Sequence, residues 1–156
     1  MTCGFSDFDF LIGQWRVHHR QLSTRMAHCQ RWQEFTGRSE ARKILGGFGI
    51  IDESIFFEPH GTYRSMSLRT FDTETNVWSI WWYDGRLPAR LLPPVSGKFQ
   101  DSIGVFLGER VIEGAPVCVR YVWTRHDDAP RCEQAFSANH GETWETTWVM
   151  EFRRAS

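Results

Sequence analysis

Two features are missing from this 156-residue sequence: a block of like charges, and an apolar run long enough to cross a bilayer. Its 18 basic and 19 acidic side chains give a net charge of −1, so there is no electrostatic basis for binding a nucleic acid. Residues 1–10 also lack the basic and apolar regions of a secretory signal. We therefore expect one cytoplasmic domain over residues 1–156, with neither a membrane nor a nucleic-acid partner. A homodimer is left open.

The sequence also lacks recognisable metal-binding and nucleophile motifs. It has no pair of cysteines at C-x-x-C spacing, no G-x-S-x-G and no H-E-x-x-H. If His126 faces Arg131 across the turn between two strands, Cys118 and Cys132 lie too far apart for a disulfide. We expect no metal, no cofactor and free thiols at all four cysteines, which are Cys3, Cys29, Cys118 and Cys132.

Short runs rich in β-branched and aromatic residues alternate with turn signals along the chain, and no long stretch has a helical apolar period. Short links require antiparallel pairing, and closing the sheet removes its two edges. The sequence therefore predicts an all-β fold, a closed antiparallel up-and-down barrel of about ten strands, preceded by a short helical turn within residues 5–12. The predicted strands are 13–22, 31–42, 48–57, 62–72, 76–84, 95–100, 103–109, 117–127, 131–138 and 144–153.

Gly13 and Trp15, at the opening of the first strand, resemble the G-x-W signature of lipocalins. The resemblance implies that Trp15 closes the base of the barrel and packs against an arginine near the end of the chain, Arg153 or Arg154. A cation–π contact would be the physical basis of that packing.

A longer pattern, in residues 8–15, 78–86 and 133–148, resembles an uncharacterised bacterial family of lipocalin-like barrels. The resemblance covers essentially the whole chain. It implies a calycin-type barrel with an internal pocket, and it implies no reaction. The sequence departs from that pattern at four positions, where the family has Trp, Asp, Gly and Asn; the residues here are Cys132, Asn139, His140 and Thr147.

Residues 137–144 resemble the Asp-box hairpin, S-x-D-x-G-x-T-W, with Asn139 in place of the aspartate. The Asn139 side chain can bind the backbone of its own turn, and Gly141 accepts a positive φ without strain. We interpret this segment, including Trp144, as a structural device. A glycan-contacting loop is the alternative.

Alternation assigns side chains to the two faces of each strand, because residues i and i+2 share a face. Trp78, Ile80 and Trp82 are predicted to face inward on strand 5. The inward set on strands 8 to 10 is Val119, Tyr121, Trp123, Cys132, Gln134, Phe136, Trp144, Trp148 and Met150. These aromatic rings and one buried amide predict the wall of a pocket for a flat apolar ligand. The alternative is a solid core filled by the eight tryptophans.

Strand 4 offers a charge for the interior. Arg69 shares a face with Ser65 and Ser67, whose small side chains leave room, and an inward arginine meets either a ligand carboxylate or a buried acid. In the alternative orientation, Met66 and Leu68 point inward and Arg69 faces water. The long link over residues 85–94 adds a basic, proline-rich loop of the kind that gates ligand pockets.

These features predict a binding barrel for a hydrophobic or aromatic, anionic small molecule. An enzyme on the same frame, an isomerase, cyclase or decarboxylase with an inward His or Glu as base, is the first alternative. The second is a haem barrel with His18 or His19 as axial ligand; the two are adjacent, so on a strand only one faces inward. The predicted ligand contacts are Arg69, Trp82, Arg86, Tyr121, Gln134 and Trp148.

Overall fold

The computed structural model describes residues 4–24 and 30–155, so Cys3 and Cys29 lie outside the described residues. Ten antiparallel strands close into a barrel in which neighbours in sequence are neighbours in space, and β1 pairs with β10. The strands are β1 Gly13–Leu22, β2 Trp32–Ile44, β3 Gly49–Glu58, β4 Gly61–Asp72, β5 Val77–Asp84, β6 Val95–Gln100, β7 Ile103–Ile112, β8 Ala115–Thr124, β9 Arg131–Ser137 and β10 Glu145–Arg154.

The remaining regular structure consists of three 3₁₀ turns, Gly4–Ser6, Asp9–Leu11 and Leu45–Gly47. No helix among the described residues is long and apolar enough to span a membrane. All ten predicted strands are present, with their ends displaced by at most three residues. The predicted fold class, a closed antiparallel barrel of about ten strands, is confirmed.

The N-terminal segment closes the base of the barrel. Phe8 is fully buried and packs edge-on against Trp78 and Trp123, at ring-centroid distances of 5.1 and 6.0 Å. Trp15 is 1% exposed and its indole N–H donates to the Leu11 carbonyl at 2.8 Å. Large rings packed in this way exclude water from one end of the barrel, so the interior can open only at the other end.

Arg154 is the arginine that covers Trp15. Its guanidinium carbon lies 4.0 Å from the indole centroid, and it donates to the carbonyl oxygens of Phe10 and Ile12. A Cβ at Gly13 would lie 2.7 Å from Arg154 Nη1, and Gly13 has a φ of +121°, so both space and backbone conformation favour glycine there. Of the two arginines that the G-x-W resemblance left open, it is Arg154 that packs on the Trp15 ring.

Two predicted features of the C-terminal strands are wrong in detail. Thr124, and not His126, faces Arg131, so the β8–β9 register differs by two residues and Cys118 faces Ser137. Cys118 and Cys132 are nevertheless free thiols. The prediction that Trp144 faces inward fails because β10 has a bulge between Thr146 and Trp148.

The bulge changes which residues share a face. Beyond the bulge Trp148 faces Gln134 in the interior, whereas Trp144 lies on the outer side, just before the first residue of β10. There the Trp144 ring packs under the guanidinium of Arg120 at 4.3 Å. Trp144 is therefore part of the outer surface of the barrel.

Candidate functional site

A cavity of about 80 Å³ lies between the aromatic base and the middle of the barrel, and we call it the inner cavity. A wider region of about 500 Å³ lies at the open end, and we call it the mouth. The two share the side chains of Trp82, Arg110, Tyr121 and Trp148. The prediction of a cavity rather than a solid core is therefore supported, although Trp15 also borders the inner cavity.

The floor of the inner cavity contains a buried ion pair. Arg69 on β4 donates from Nη1 to Asp52 Oδ2 on the neighbouring strand β3 at 2.5 Å, and the two side chains are 4% and 10% exposed. The Arg69 guanidinium also lies over the rings of Phe8 and Trp123, 5.1 and 5.5 Å from their centroids. Arg69 thus points inward, which is one of the two orientations that the sequence left open, and its partner is a buried acid of the protein.

Serine hydroxyls surround this pair. Ser39, Ser54, Ser65 and Ser67 come from β2, β3 and β4 and line the inner cavity beside Asp52. Ser54 donates to Ser39 at 3.2 Å. Small side chains on three adjacent strands create the space that the cavity occupies, and they make one side of it polar.

His19, on β1, lines the inner cavity beside the strand that carries Ser39. Its ring stacks on Phe35 at 4.7 Å, and its Nδ1 accepts a hydrogen bond from the Trp148 indole N–H at 3.0 Å. Burial, with a smaller contribution from His18, lowers the pKa of His19 from 6.5 to about 3. The imidazole is therefore neutral at physiological pH. His18 faces outward, 3.9 Å from Glu34.

A line of polar side chains runs from β10 to β8 along the wall. Thr147 donates to the side-chain oxygen of Gln134 at 3.1 Å, and the Gln134 amide nitrogen donates to the Tyr121 hydroxyl. Thr147 is the extra residue of the β10 bulge and is fully buried. The bulge thus supplies the hydroxyl that orients Gln134.

Arg110, on β7, is an inward-facing arginine that the sequence analysis did not identify. It faces Val117 of β8 on the inner side and lines both the inner cavity and the mouth. Its Nη1 donates to the carbonyl oxygens of Pro93 and Glu109, each at 2.8 Å. Burial lowers its pKa, whereas the nearby Tyr121 hydroxyl acts in the opposite direction.

Arg86 lies at the mouth, in the loop after β5, but it is already paired. It makes a two-pronged contact with Asp84, with Nη2 to Oδ2 at 2.8 Å, and its guanidinium stacks 3.6 Å above the Tyr63 ring. Burial raises the pKa of the Tyr63 hydroxyl above its usual range, against the influence of Arg86. Arg86 thus connects Asp84 and Tyr63 at the rim of the mouth.

The predicted ligand contacts all lie at this site. Arg69 is at the floor, Trp82, Tyr121 and Trp148 border both spaces, and Gln134 and Arg86 border the mouth. Asp52 and Arg110 were missed: a partner acid on the next strand can be identified only once the strand register is known. Among the described residues no group of three His, Cys, Asp or Glu side chains is arranged to hold a metal ion.

No protein-family model and no curated protein sequence matches the chain. Among solved structures, it is similar to the S-type phycobiliprotein lyase CPES from Guillardia theta, with a TM-score of 0.62 and 11% sequence identity. The match covers 97% of this chain and 92% of that chain. At this identity the likeness shows the fold alone: a closed, lipocalin-like barrel of ten antiparallel strands.

Proposed function

We propose that the protein binds a small hydrophobic or aromatic anion whose acid group is held at the mouth by Arg110. The observation that carries this proposal is that Arg110 faces inward and donates to two carbonyls, while no carboxylate of the described residues lies within 4.0 Å of it. A partly buried guanidinium without a countercharge favours an anionic ligand.

The two arginines predicted from the sequence are less suited to this role. Asp52 already neutralises Arg69, and Asp84 already neutralises Arg86. The apolar part of the ligand would pack against Trp82 and Trp148, whose rings meet edge-on at 6.3 Å between centroids and border both spaces. Rings in this position suit a flat or aliphatic body.

The test compares a carboxylate with its neutral isostere. In isothermal titration calorimetry, Arg110→Met should weaken the binding of phenylpropionate about ten-fold or more and leave phenylpropionamide nearly unchanged, since a charge-assisted hydrogen bond contributes about 1.5–3 kcal/mol. Arg42→Met, the same substitution on the exposed outer face of β2, is the matched control.

Equal losses for acid and amide would mean general damage to the site. An acid affinity that Arg110→Met leaves unchanged would reject Arg110 as the anchor. If the wild-type protein binds neither compound at millimolar concentration, the proposal itself is wrong for this ligand class.

An enzyme on the same frame would need a general base whose pKa lies near the working pH. Burial lowers the pKa of His19 to about 3. This histidine does not suit proton abstraction at neutral pH, which favours a binding protein. The lyase with a similar fold bears a name for an enzyme, so product analysis after incubation with a bound ligand is the direct check.

A haem barrel is disfavoured by the packing of His19. Its Nδ1 accepts from the Trp148 indole N–H, and its ring packs against those of Phe35 and Phe56 at centroid distances of 4.7 and 5.0 Å. A cytoplasmic location, a bacterial source and a calycin-type family remain predictions from the sequence, and a homodimer remains open.

A further inference from the structure

The floor of the inner cavity has hydrogen-bonding capacity that the anion site at the mouth does not use. Within the described part of the chain, Asp52 Oδ1 has no hydrogen-bond partner, although Oδ2 binds Arg69. Arg69 Nε is buried and also lacks a partner there. Ser65 and Ser67, on the strand that carries Arg69, make no side-chain hydrogen bond to another described residue.

A ligand that enters the inner cavity takes these polar atoms out of contact with water, which costs free energy unless the ligand bonds to them, so a group that bonds to them is favoured at this position. The Asp52 and Arg69 charges offset each other, which removes the preference for either an anion or a cation. What remains is one carboxylate oxygen that accepts and several hydroxyls that both donate and accept. A neutral ligand group that both donates and accepts hydrogen bonds is complementary to these oxygens and hydroxyls.

The size of the inner cavity limits that group further. An engineered cavity of roughly 150 Å³ admits benzene, and the inner cavity has about 80 Å³. It therefore accepts a small terminal group, while the body of a ligand stays against the rings of Trp82 and Trp148 and in the mouth.

We propose that the inner cavity recognises a hydroxyl group at the end of the ligand opposite its acid, so that the protein selects hydroxy acids. This inference rests on the proposed anion site at Arg110, which would hold the other end. Asp52 Oδ1 would accept the hydroxyl hydrogen, and the hydroxyls of Ser65 and Ser67 would donate to the hydroxyl oxygen.

The experiment compares acids that differ only at the far end. Calorimetric titration of wild-type protein should show phenylpropionate binding about ten-fold more weakly than its para-hydroxy derivative, as expected for one hydrogen bond to a charged group. Hexanoate and its omega-hydroxy derivative provide a second pair on a flexible frame. The double variant Ser65→Ala/Ser67→Ala should lose most of the preference and keep its affinity for the plain acids.

Two further variants complete the design. Asp52→Asn removes the charge and should reduce the hydroxyl preference; the serine variants keep the test valid if Asp52→Asn does not fold. Ser79→Ala, a half-buried serine of β5 that bonds to Ser96 and does not line the inner cavity, is the matched control and should retain the full preference.

Equal affinities for plain and hydroxylated acids would overturn the inference, and so would a preference that survives both Asp52→Asn and the double serine variant. The two proposals fail separately. If Arg110→Met weakens all the acids and no hydroxyl preference exists, only the inference is wrong. If the hydroxyl preference exists and Arg110→Met has no effect, the anion site is wrong. A preference for a terminal amine over a hydroxyl would also overturn the inference, because the Asp52 charge would then outweigh its pairing with Arg69.

Discussion

Three arginines of this barrel differ in role because they differ in partner. Arg69 is fully buried and has Asp52, Arg86 is exposed at the rim and has Asp84, and Arg110 has only carbonyl oxygens among the described residues. A guanidinium with a carboxylate partner is a structural element, whereas one without is available to an anion. The presence or absence of a carboxylate partner therefore determines whether an arginine is structural or can bind an anion.

The Arg69–Asp52 pair gives a prediction about stability. Arg69→Met leaves a buried carboxylate unpaired and should lower the free energy of unfolding by about 3–5 kcal/mol. Adding Asp52→Leu should recover most of that loss, because it replaces the pair by apolar side chains of similar size. Equilibrium urea denaturation measures both. If the double variant is as unstable as the single one, the unpaired charge is not the cause.

Trp15 gives a second prediction. Trp15→Ala removes a side chain that is 1% exposed at the base, and it should cost about 3–5 kcal/mol of unfolding free energy. Trp144→Ala, a half-buried tryptophan on the outer surface, is the control and should cost about 1 kcal/mol, as expected for loss of a cation–π contact. Urea denaturation compares the two, and a loss under about 1 kcal/mol at Trp15 would exclude its role as a plug.

At the level of single side chains, alternation left both orientations of Arg69 open, and it did not reveal Arg110. On β7 the outer face carries Ile103, Val105 and Leu107, all exposed, while the inner face carries two glycines beside Phe106 and then Arg110. The more apolar face is thus the outer one, against the usual rule. Hydrophobicity alone would have oriented this strand the wrong way.

At the level of strands and turns, the ends of the strands were predictable because most of the turns contain residues that favour a turn. Pro59 and His60 form a two-residue link between Glu58 and Gly61, which pair across the hairpin. Asn76 takes a φ of +57° at the end of the next link. The β10 bulge left no such signal, since the extra residue is an ordinary threonine whose hydroxyl finds its partners only on β9.

Side-chain hydrogen bonds within the turn stabilise the β9–β10 hairpin. Asn139 Oδ1 accepts from the Ser137 hydroxyl at 2.8 Å and from the Thr143 backbone N–H at 2.9 Å, and Nδ2 donates to the Thr143 hydroxyl. His140 and Gly141 both have positive φ. The Asp-box interpretation as a turn device accounts for every one of these contacts.

A third prediction follows for this hairpin. Asn139→Ala removes the acceptor for two donors and should lower the free energy of unfolding by about 1–3 kcal/mol. Asn139→Asp keeps Oδ1, and its second oxygen can accept from the Thr143 hydroxyl, so it should be close to neutral. Thermal and urea denaturation of both variants provide the check. Equal destabilisation by Ala and Asp would show that the side-chain oxygen is not what stabilises the turn.

In the whole molecule, polarity changes along the barrel axis. Aromatic rings close the base, a neutralised ion pair with serines forms the floor, Trp82 and Trp148 line the middle, and Arg110 stands at the mouth. The sequence predicted the barrel, its closed end and most of the wall. It could not predict the order of polar groups along the axis, which depends on how ten strands are staggered.

The dependence of overall stability on pH tests the interior of the barrel as a whole. His19 has a pKa of about 3 in the folded state, against 6.5 for the unperturbed side chain. Below pH 6.5 the unfolded chain therefore binds a proton at His19 that the folded protein does not bind. Stability contributed by the neutral imidazole is complete above that pH and is lost as the pH falls towards 3.

We expect the wild-type protein to lose about 2 kcal/mol more unfolding free energy than His19→Gln between about pH 8 and pH 5. Glutamine keeps an acceptor for the Trp148 indole N–H, so the comparison isolates the titration from the hydrogen bond. His18→Gln, an exposed histidine on the same strand, is the control and should follow the wild-type curve. Urea denaturation at a series of pH values measures the difference. If the unfolding free energies of wild type and His19→Gln change in parallel with pH, His19 takes up its proton in the folded barrel. The imidazole would then be accessible to water.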